Sequence, residues 1–470
     1  MARNTQVAAD HNAPPVTQLL AEFVAHHPGY QDCGWSAQVD HEAHRTFLNW
    51  LGCAVGAARH EAADAALAAV TVLQPAPQAT LPGRAERVDM ASAALINGIT
   101  SQTFDFDDTH LKTIIHPAGP VASAVLALAE HSGNGPDETL RVSGRALIDA
   151  LVIGIDVSCR VGNAMYPDHY DRGWHITGST GTLGAAAACA RLLKLDTQQT
   201  AMALGIAASQ PVGMREQFGT MTKPFHPGAA ARAGLMSALL ASRGFTASPK
   251  AMEAPRGMMQ TVSTKNDWSE ITSELGQRFE ISFNSYKPFA CGIVIHPSID
   301  ACAQLRAQGV RPQQIERIEL KVHSLVLELT GKKEPADGLQ AKFSVYHGCA
   351  AGLTFGFAAE DEFSDEVVNR ADMVALRRKV VATVDDSIDE ASADVTAVLS
   401  DGRRIHVFVE HAIGSLQNPM SDAQLEAKFH GLADPLLGAS QSSELIRACW
   451  SLGSAASVRA LAALAVPQRG

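Results

Sequence analysis

From about Val16 to Arg278, apolar residues recur every three or four positions, as in Phe47, Leu48, Leu51, Ala54 and Val55, or Val121, Val125, Leu126, Leu128 and Ala129. That spacing lines one face of a helix, and Gly and Pro at short intervals divide the region into helices of ordinary length. Near Phe279 the period changes. Ile318, Leu320 and Val322 alternate with Glu319, Lys321 and His323, which is the pattern of a strand. Val395 to Leu399 and Ile405 to Val409 flank Ser400-Asp401-Gly402-Arg403, where Asp-Gly supplies the positive φ of a tight hairpin turn. Between these strands, Pro297 opens a helix containing Ile299, Cys302 and Leu305. After Asn418-Pro419 the helical spacing returns, and Ser421 with Gln424 forms a capping box. The predicted fold is mainly α: a large all-helical domain built from both chain ends, residues 1–279 and 413–470, with an inserted α/β lid domain over 280–412. Residues 1–15 are polar, end in Pro14-Pro15 and are expected to form a loose arm.

A chain of 470 residues is long for one core, which agrees with two domains. Alanine dominates many segments and aromatics are only 6%, so closely packed helices are favoured. The net charge of −11 and the absence of a Lys/Arg-rich run argue against nucleic acid or an acidic membrane surface as partner. An anionic ligand would then need specific Lys and His residues to build a local positive site. The eight cysteines are scattered without a CxxC pair and are read as reduced and inert. No signal peptide is visible, and the most apolar stretch, Ala146–Cys159, is too short to span a bilayer and carries Asp149 and Asp156. The expected location is cytoplasmic.

Four stretches concentrate His, Lys and Asp beside Gly or Pro. The first is Asp105-Phe106-Asp107-Asp108-Thr109-His110, with His116-Pro117-Ala118-Gly119 after it. Three carboxylates within four residues are costly to crowd unless cations or hydrogen bonds compensate them. The alternative is a solvated helix end with acidic caps. The second, Gly173-Trp174-His175-Ile176-Thr177-Gly178-Ser179-Thr180-Gly181, is read as a Gly- and hydroxyl-rich lead into a helix from about Leu183, offering free backbone N–H groups to a carboxylate or phosphate. Tight helix packing through small residues is the competing reading. The third is Phe218 to Gly228, where Lys223 is hemmed by Pro224, His226 and Pro227 and is expected outside a helix interior. The fourth is Tyr286-Lys287-Pro288-Phe289-Ala290-Cys291, followed by His296-Pro297 at a helix start. Together they suit one site in which lysines and histidines hold carboxylates. Asp107, Asp108, His110 and His116 could instead be metal ligands, but HExxH and Cys pairs are absent, and no metal is expected.

The ordered stretches DFDDTH, HPAGP, GWHITGSTGTLGAAAA, FGTMTKPFHPGAAARAG and YKPFACGIVIHPSIDA resemble the MmgE/PrpD family over nearly the whole chain. The resemblance implies a homodimer and a cofactor-independent enzyme of the kind that includes 2-methylcitrate dehydratase, cis-aconitate decarboxylase and iminodisuccinate epimerase. Motif by motif it points to Asp105, Thr109, His116, His175, Lys223 and Lys287 as active-site positions. Between the Asp cluster and His116 this chain has His110-Leu111-Lys112-Thr113-Ile114-Ile115, one residue longer than the decarboxylase pattern, and it lacks the WGHPSDN of the dehydratases. The substrate therefore stays open. The expected roles are His116 as principal acid/base, Asp105 as its orienting partner and His175 as second acid/base, with Lys223, Lys287, Thr109 and His296 contacting a small polycarboxylate. The expected reaction is that of a lyase, a dehydratase or a decarboxylase. An epimerase of an imino- or amino-dicarboxylate and a non-enzymatic helical binding protein are the alternatives.

Overall fold

A computed structural model describes residues 13–29, 35–132 and 141–468. The predicted arm lies outside the described residues as far as residue 12, as does Cys33. The protein is mainly α, as its periodicity predicts.

Two apolar cores organise the molecule. The first draws on residues from Val16 to Tyr286 and again from Met420 to Ala465. At its centre lies helix Ile176–Leu192, packed by Gly144–Met165, Thr222–Ser242 and Ala118–Ser132. Small residues permit the close approach. A methyl on Gly154 would stand 2.7 Å from the Gly184 carbonyl oxygen, and one on Gly184 equally close to that of Gly154. Helix starts are capped as their sequences suggest: Ser143 accepts from Ala146 N, and Asp89 from Ala91 and Ser92 N. Each such cap contributes about 1 kcal/mol. The capping box at Ser421 and Gln424 opens helix Asp422–Leu437, which lies along Ala37–Gly56 with the Phe429 ring over Gly52. Arg45 ties the two together through Asp422 and the Met420 carbonyl.

The second core is built mostly from Phe289 to Ala412. Strand Ile315–Val322 pairs in parallel with Val380–Val384 and antiparallel with Ala393–Leu399, which in turn pairs with Arg404–Val409. Ile318, Leu320 and Val322 are fully buried, whereas Lys321 is exposed. The hairpin turns at Asp401-Gly402, with Gly402 at φ 87°. Helices His296–Ala307 and Val345–Phe355 pack on each other beside this sheet. Phe106, Cys53 and Leu432 from the helical part complete this core, so the two units share a seam.

Two expectations are corrected. The stretch Thr177–Gly181 is not a lead into a helix but the first turns of one, which starts at Ile176 with His175 as N-cap. Its Gly and hydroxyl residues have low helix propensity, but only such small residues fit the crossing: a methyl on Gly181 would meet Pro120 at 2.4 Å. The second concerns the prolines and not Lys223, which lies in the first turn of a helix and so outside its interior: Pro227 is within that helix. Pro224 is harmless there, where N–H groups lack partners in any case. Pro227 removes the usual donor to the Lys223 carbonyl. Among the described residues, no helix is long and apolar enough to cross a membrane.

Candidate active site

Segments far apart in the chain meet at one small cavity. Asp105, His116, His175, Lys223 and Lys287 line its polar side, and Ile114, Phe218, Val294, Leu329 and Phe343 belong to its apolar side. Element ends place each polar group. Helix Met90–Thr103 stops short of Asp105, whose left-handed φ of 50° turns the chain, a conformation a short Asp tolerates. The chain then extends as Asp108–His110, antiparallel to Asn284–Tyr286, and this pairing delivers Lys287 beside Asp105. His116 lies just before helix Ala118–Ser132, His175 caps Ile176–Leu192, and Lys223 is the second residue of Thr222–Ser242. The last helix crosses Met90–Thr103 where Gly98 meets Gly228; a methyl on Gly98 would sit 2.5 Å from Gly228 Cα. That crossing sets Lys223 opposite Asp105.

The acidic cluster is compensated by lysines. Asp105 Oδ1 accepts from Lys223 Nζ and Lys287 Nζ, both at 2.6 Å. Burial alone would push the Asp105 carboxyl up, but the two ammoniums outweigh it and hold its pKa well below the ordinary value. Lys287 also donates to the Asp105 carbonyl at 3.3 Å and to Asp107 Oδ1 at 3.4 Å, so its three N–H groups are all engaged. Burial works against its charge as well, yet Asp105 and Asp107 raise its pKa on balance. Lys223 makes one such bond, leaving two N–H groups for a ligand. Its pKa is lowered, because burial and the Lys287 charge together exceed the attraction of Asp105. Lys223 Nζ stands over the stacked rings of Phe218 and Phe343.

His116 Nδ1 is 2.7 Å from the Asp108 carbonyl oxygen, 3.2 Å from Thr109 Oγ1 and 3.4 Å from Asp107 Oδ2. A carbonyl can only accept, so Nδ1 carries the proton and Nε2 keeps its lone pair. Burial lowers the His116 pKa to about 4, with Lys287 and Lys223 acting in the same direction against Asp107, so the resting ring is neutral. This corrects the expected pairing: Asp105 is spent on the lysines, and the orienting groups are the Asp108 main chain, Thr109 and Asp107. His175 stands across the site, its ring centre 6.4 Å from that of His116. Its Nδ1 lies 2.8 Å from Nδ1 of His226, while its buried Nε2 has no hydrogen-bond partner among the described residues. Burial, His226 and Lys223 drive its pKa well below the ordinary value. Two neutral imidazoles therefore serve one cavity.

Thr109 reaches the site only through His116, and neither it nor His296 is among the residues lining the cavity. His296 turns Nε2 to the Cys291 carbonyl at 3.4 Å and packs edge-on to Phe289. The four possible metal ligands read from the sequence do not converge. His110 bonds Glu280 and Thr113, and Asp108 accepts from Asn284 and the Ala118 N–H. Asp105, Asp107 and His116 do approach within 4.8 Å of one another, but Lys287 already bridges the two carboxylates. Burial and the Asp107 charge raise Asp108 to about 7. Sequence reasoning missed Tyr170 and Phe343 in the lining and His226 as the partner of His175. Only His226 carried a signal, its place in the same stretch as Lys223.

Residues 18–271 match the MmgE/PrpD N-terminal domain and residues 289–452 the MmgE/PrpD C-terminal domain. The chain is 27% identical over 450 residues to a cis-aconitate decarboxylase-like protein of Aspergillus oryzae, covering 91% of this chain and 93% of that one. It is 28% identical over 377 residues to human cis-aconitate decarboxylase, covering 77% and 76%. To 2-methylcitrate dehydratase of Salmonella typhimurium it is 24% identical over 403 residues, covering 79% and 81%. With both domains matched in succession around the cavity just described, the chain belongs to the MmgE/PrpD family.

Proposed function

We propose that this protein is a lyase, a dehydratase or decarboxylase, that acts on a small di- or tricarboxylate through histidine acid/base chemistry and without a cofactor. One observation carries the reading: the neutral imidazoles of His116 and His175 share a cavity with Lys223, whose ammonium has two N–H groups to spare. The kinship with decarboxylases and dehydratases supports the same class.

In a dehydration, His116 Nε2 takes the proton from the carbon beside a carboxylate. The C–H electron pair enters an enediolate whose oxygens Lys223 holds, and this preorganised charge lowers the barrier. The C–O bond then breaks, and the hydroxyl leaves as water with a proton from His175 Nε2–H. That tautomer follows if His175 Nδ1 accepts from His226. In a decarboxylation the C–C bond breaks instead, its electron pair enters the same enediolate, CO₂ leaves, and a protonated imidazole gives its proton to carbon. The substrate's carboxylates favour that protonated form, which the resting site disfavours. In this reading residues 280–412 act as the lid and the protein works as a homodimer in the cytoplasm; a sedimentation mass of two chains is the expected result for the assembly.

The test is to incubate the protein with cis-aconitate, 2-methylcitrate and iminodisuccinate in D₂O and to follow products by NMR. From one of the first two, either loss of CO₂ with one deuterium entering at carbon, or loss of water with the carbon-bound proton passing to solvent, is expected. Turnover of iminodisuccinate alone, or of none of the three, overturns the reading.

A further inference from the structure

Three consecutive carbonyls at the Asp105 turn are each held by a different lysine. Phe104 O accepts from Lys342 Nζ at 2.8 Å, Asp105 O from Lys287 Nζ at 3.3 Å, and Phe106 O from Lys428 Nζ at 2.5 Å. Lys287 belongs to the site already described. Lys342 and Lys428 do not line the cavity, and they come from opposite parts of the chain. Lys342 follows the short helix Gly338–Ala341 of the α/β unit, and Lys428 lies in helix Asp422–Leu437.

Each of the two also bonds the other strand of the site. Lys342 Nζ donates to the Ala290 carbonyl at 2.8 Å and to Glu360 at 2.5 Å. Lys428 Nζ donates to the Lys287 carbonyl at 2.9 Å and to Asn49 Oδ1 at 2.7 Å, and sits 4.0 Å from the centre of the Phe106 ring. With three donors apiece, both ammoniums are saturated. Burial works against the charge of Lys428 and draws its pKa down to about 8. An apolar residue in a helix that otherwise packs through Phe429 and Leu432 would avoid that cost, so the lysine is kept for the three oxygens it meets.

We propose that Lys342 and Lys428 are positioning residues of the active site. Each ties a carbonyl flanking Asp105 to a carbonyl of the 287–290 segment, so the carboxylate and Lys287 are registered only when the α/β unit and the C-terminal helix are both docked. The left-handed turn at Asp105, which the local sequence does not otherwise enforce, is held open from both sides. A shift of about 1 Å in a catalytic group is enough to cost on the order of 100-fold in rate. This goes beyond the proposed reaction and rests on it only in using turnover as one of two readouts.

The experiment compares Lys342→Met and Lys428→Met in the full-length protein by hydrogen exchange, thermal melting and kinetics on whichever polycarboxylate the wild type turns over. The expected result is exchange at least 10-fold faster at the amides of residues 104–109, little change across helix Gly144–Met165, and kcat lowered 10- to 100-fold with KM changed less than threefold. A merely structural role would instead raise exchange throughout and leave kcat per folded molecule intact. Unchanged exchange at the turn, or unchanged kcat, overturns the proposal. Should a Met variant not fold, Lys342→Gln and Lys428→Gln, which keep N–H donors but not the charge or reach, are held to the same criteria. If the wild type turns over no polycarboxylate, the proposed function fails, while the exchange measurement still decides whether the lysines hold the turn.

Discussion

Among single residues, His116 and the two site lysines differ in what they would cost to remove. His116→Gln keeps a side chain able to reach the Asp108 carbonyl but removes the base, so kcat/KM should fall by about 10²–10⁴ with melting unchanged. Because burial and two nearby ammoniums lower His116 to about 4, the acid limb of the wild-type kcat/KM profile should bend well below the ordinary imidazole value of 6.5. A profile bending at 6.5 or above would assign the base to another group. Lys223→Met leaves Asp105 paired with Lys287 and should raise KM as well as lower kcat, since it removes contacts made to bound substrate in every state. Lys287→Met strips the buried Asp105 and Asp107 of a shared partner, and breaking a buried pair in that way costs about 3–5 kcal/mol. Its melting temperature should therefore drop while that of Lys223→Met barely moves. Much of this was legible in the sequence by residue type: three crowded carboxylates demanded cations, and two lysines held by prolines were near enough in kind to supply them. The pairing was not legible. Which of Asp105, Asp107 and Asp108 faces His116 depends on one left-handed residue, and no local pattern announces it.

At the level of elements, the site is set by crossings of small residues and by one short pairing of strands. The Gly98–Gly228 contact brings the end of one helix and the start of another together, with Asp105 two residues past the first and Lys223 on the second. Gly228→Ala would put a methyl 2.2 Å from the Leu95 carbonyl oxygen, a backbone atom that cannot swing aside. The helices must then separate, at a cost of about 1–3 kcal/mol. Melting should fall by a few degrees and kcat/KM by 10-fold or more, with Lys223 drawn off Asp105; wild-type behaviour in both would show the crossing to be slack. Such crossings also explain where sequence reading went astray. Alternation at Ile318, Leu320 and Val322, the Asp-Gly hairpin and the Ser421 capping box are local signals, and local structure follows them. Thr177–Gly181 reads as a loop because its propensities are poor, and tertiary packing overrides them. Lys342, just past a helix, and Lys428, within one, look like ordinary lysines, since their partners at the Asp105 turn lie 238 and 322 residues away.

For the molecule as a whole, buried histidines dominate the response to acid. His116, His169, His226 and His347 are lowered to about 4 and His296 to about 3, in each case chiefly by burial. Between those values and 6.5 the unfolded chain binds protons that the folded one does not, so stability is full above 6.5 and drains as pH falls. Asp108 and Asp156, raised to about 7 and about 6 by burial, act oppositely: they hold protons in the fold that the unfolded chain has released, and gain stability as pH falls. The lowered imidazoles, which also include His27, His60 and His175, outnumber the raised carboxyls even with Glu42, Glu360 and Glu362 added, and the melting temperature should decline steadily from pH 6.5 to 4.5. A flat or rising curve would mean the histidines are wetter than their packing suggests. The route by which the chain ends meet has a further consequence during synthesis. Every residue lining the cavity has left the ribosome before helix Asp422–Leu437 is made, yet that helix supplies Phe429 and Ala433 to the first core and closes the contact between Arg45 and Asp422, 377 residues apart. A nascent chain must therefore hold an unfinished apolar groove along Ala37–Gly56 until helix Asp422–Leu437 appears, a state that invites aggregation. Truncation after residue 418 should yield insoluble protein rather than a weakened enzyme, and the missing C-terminal piece, supplied as a separate polypeptide during refolding, should restore solubility and turnover together.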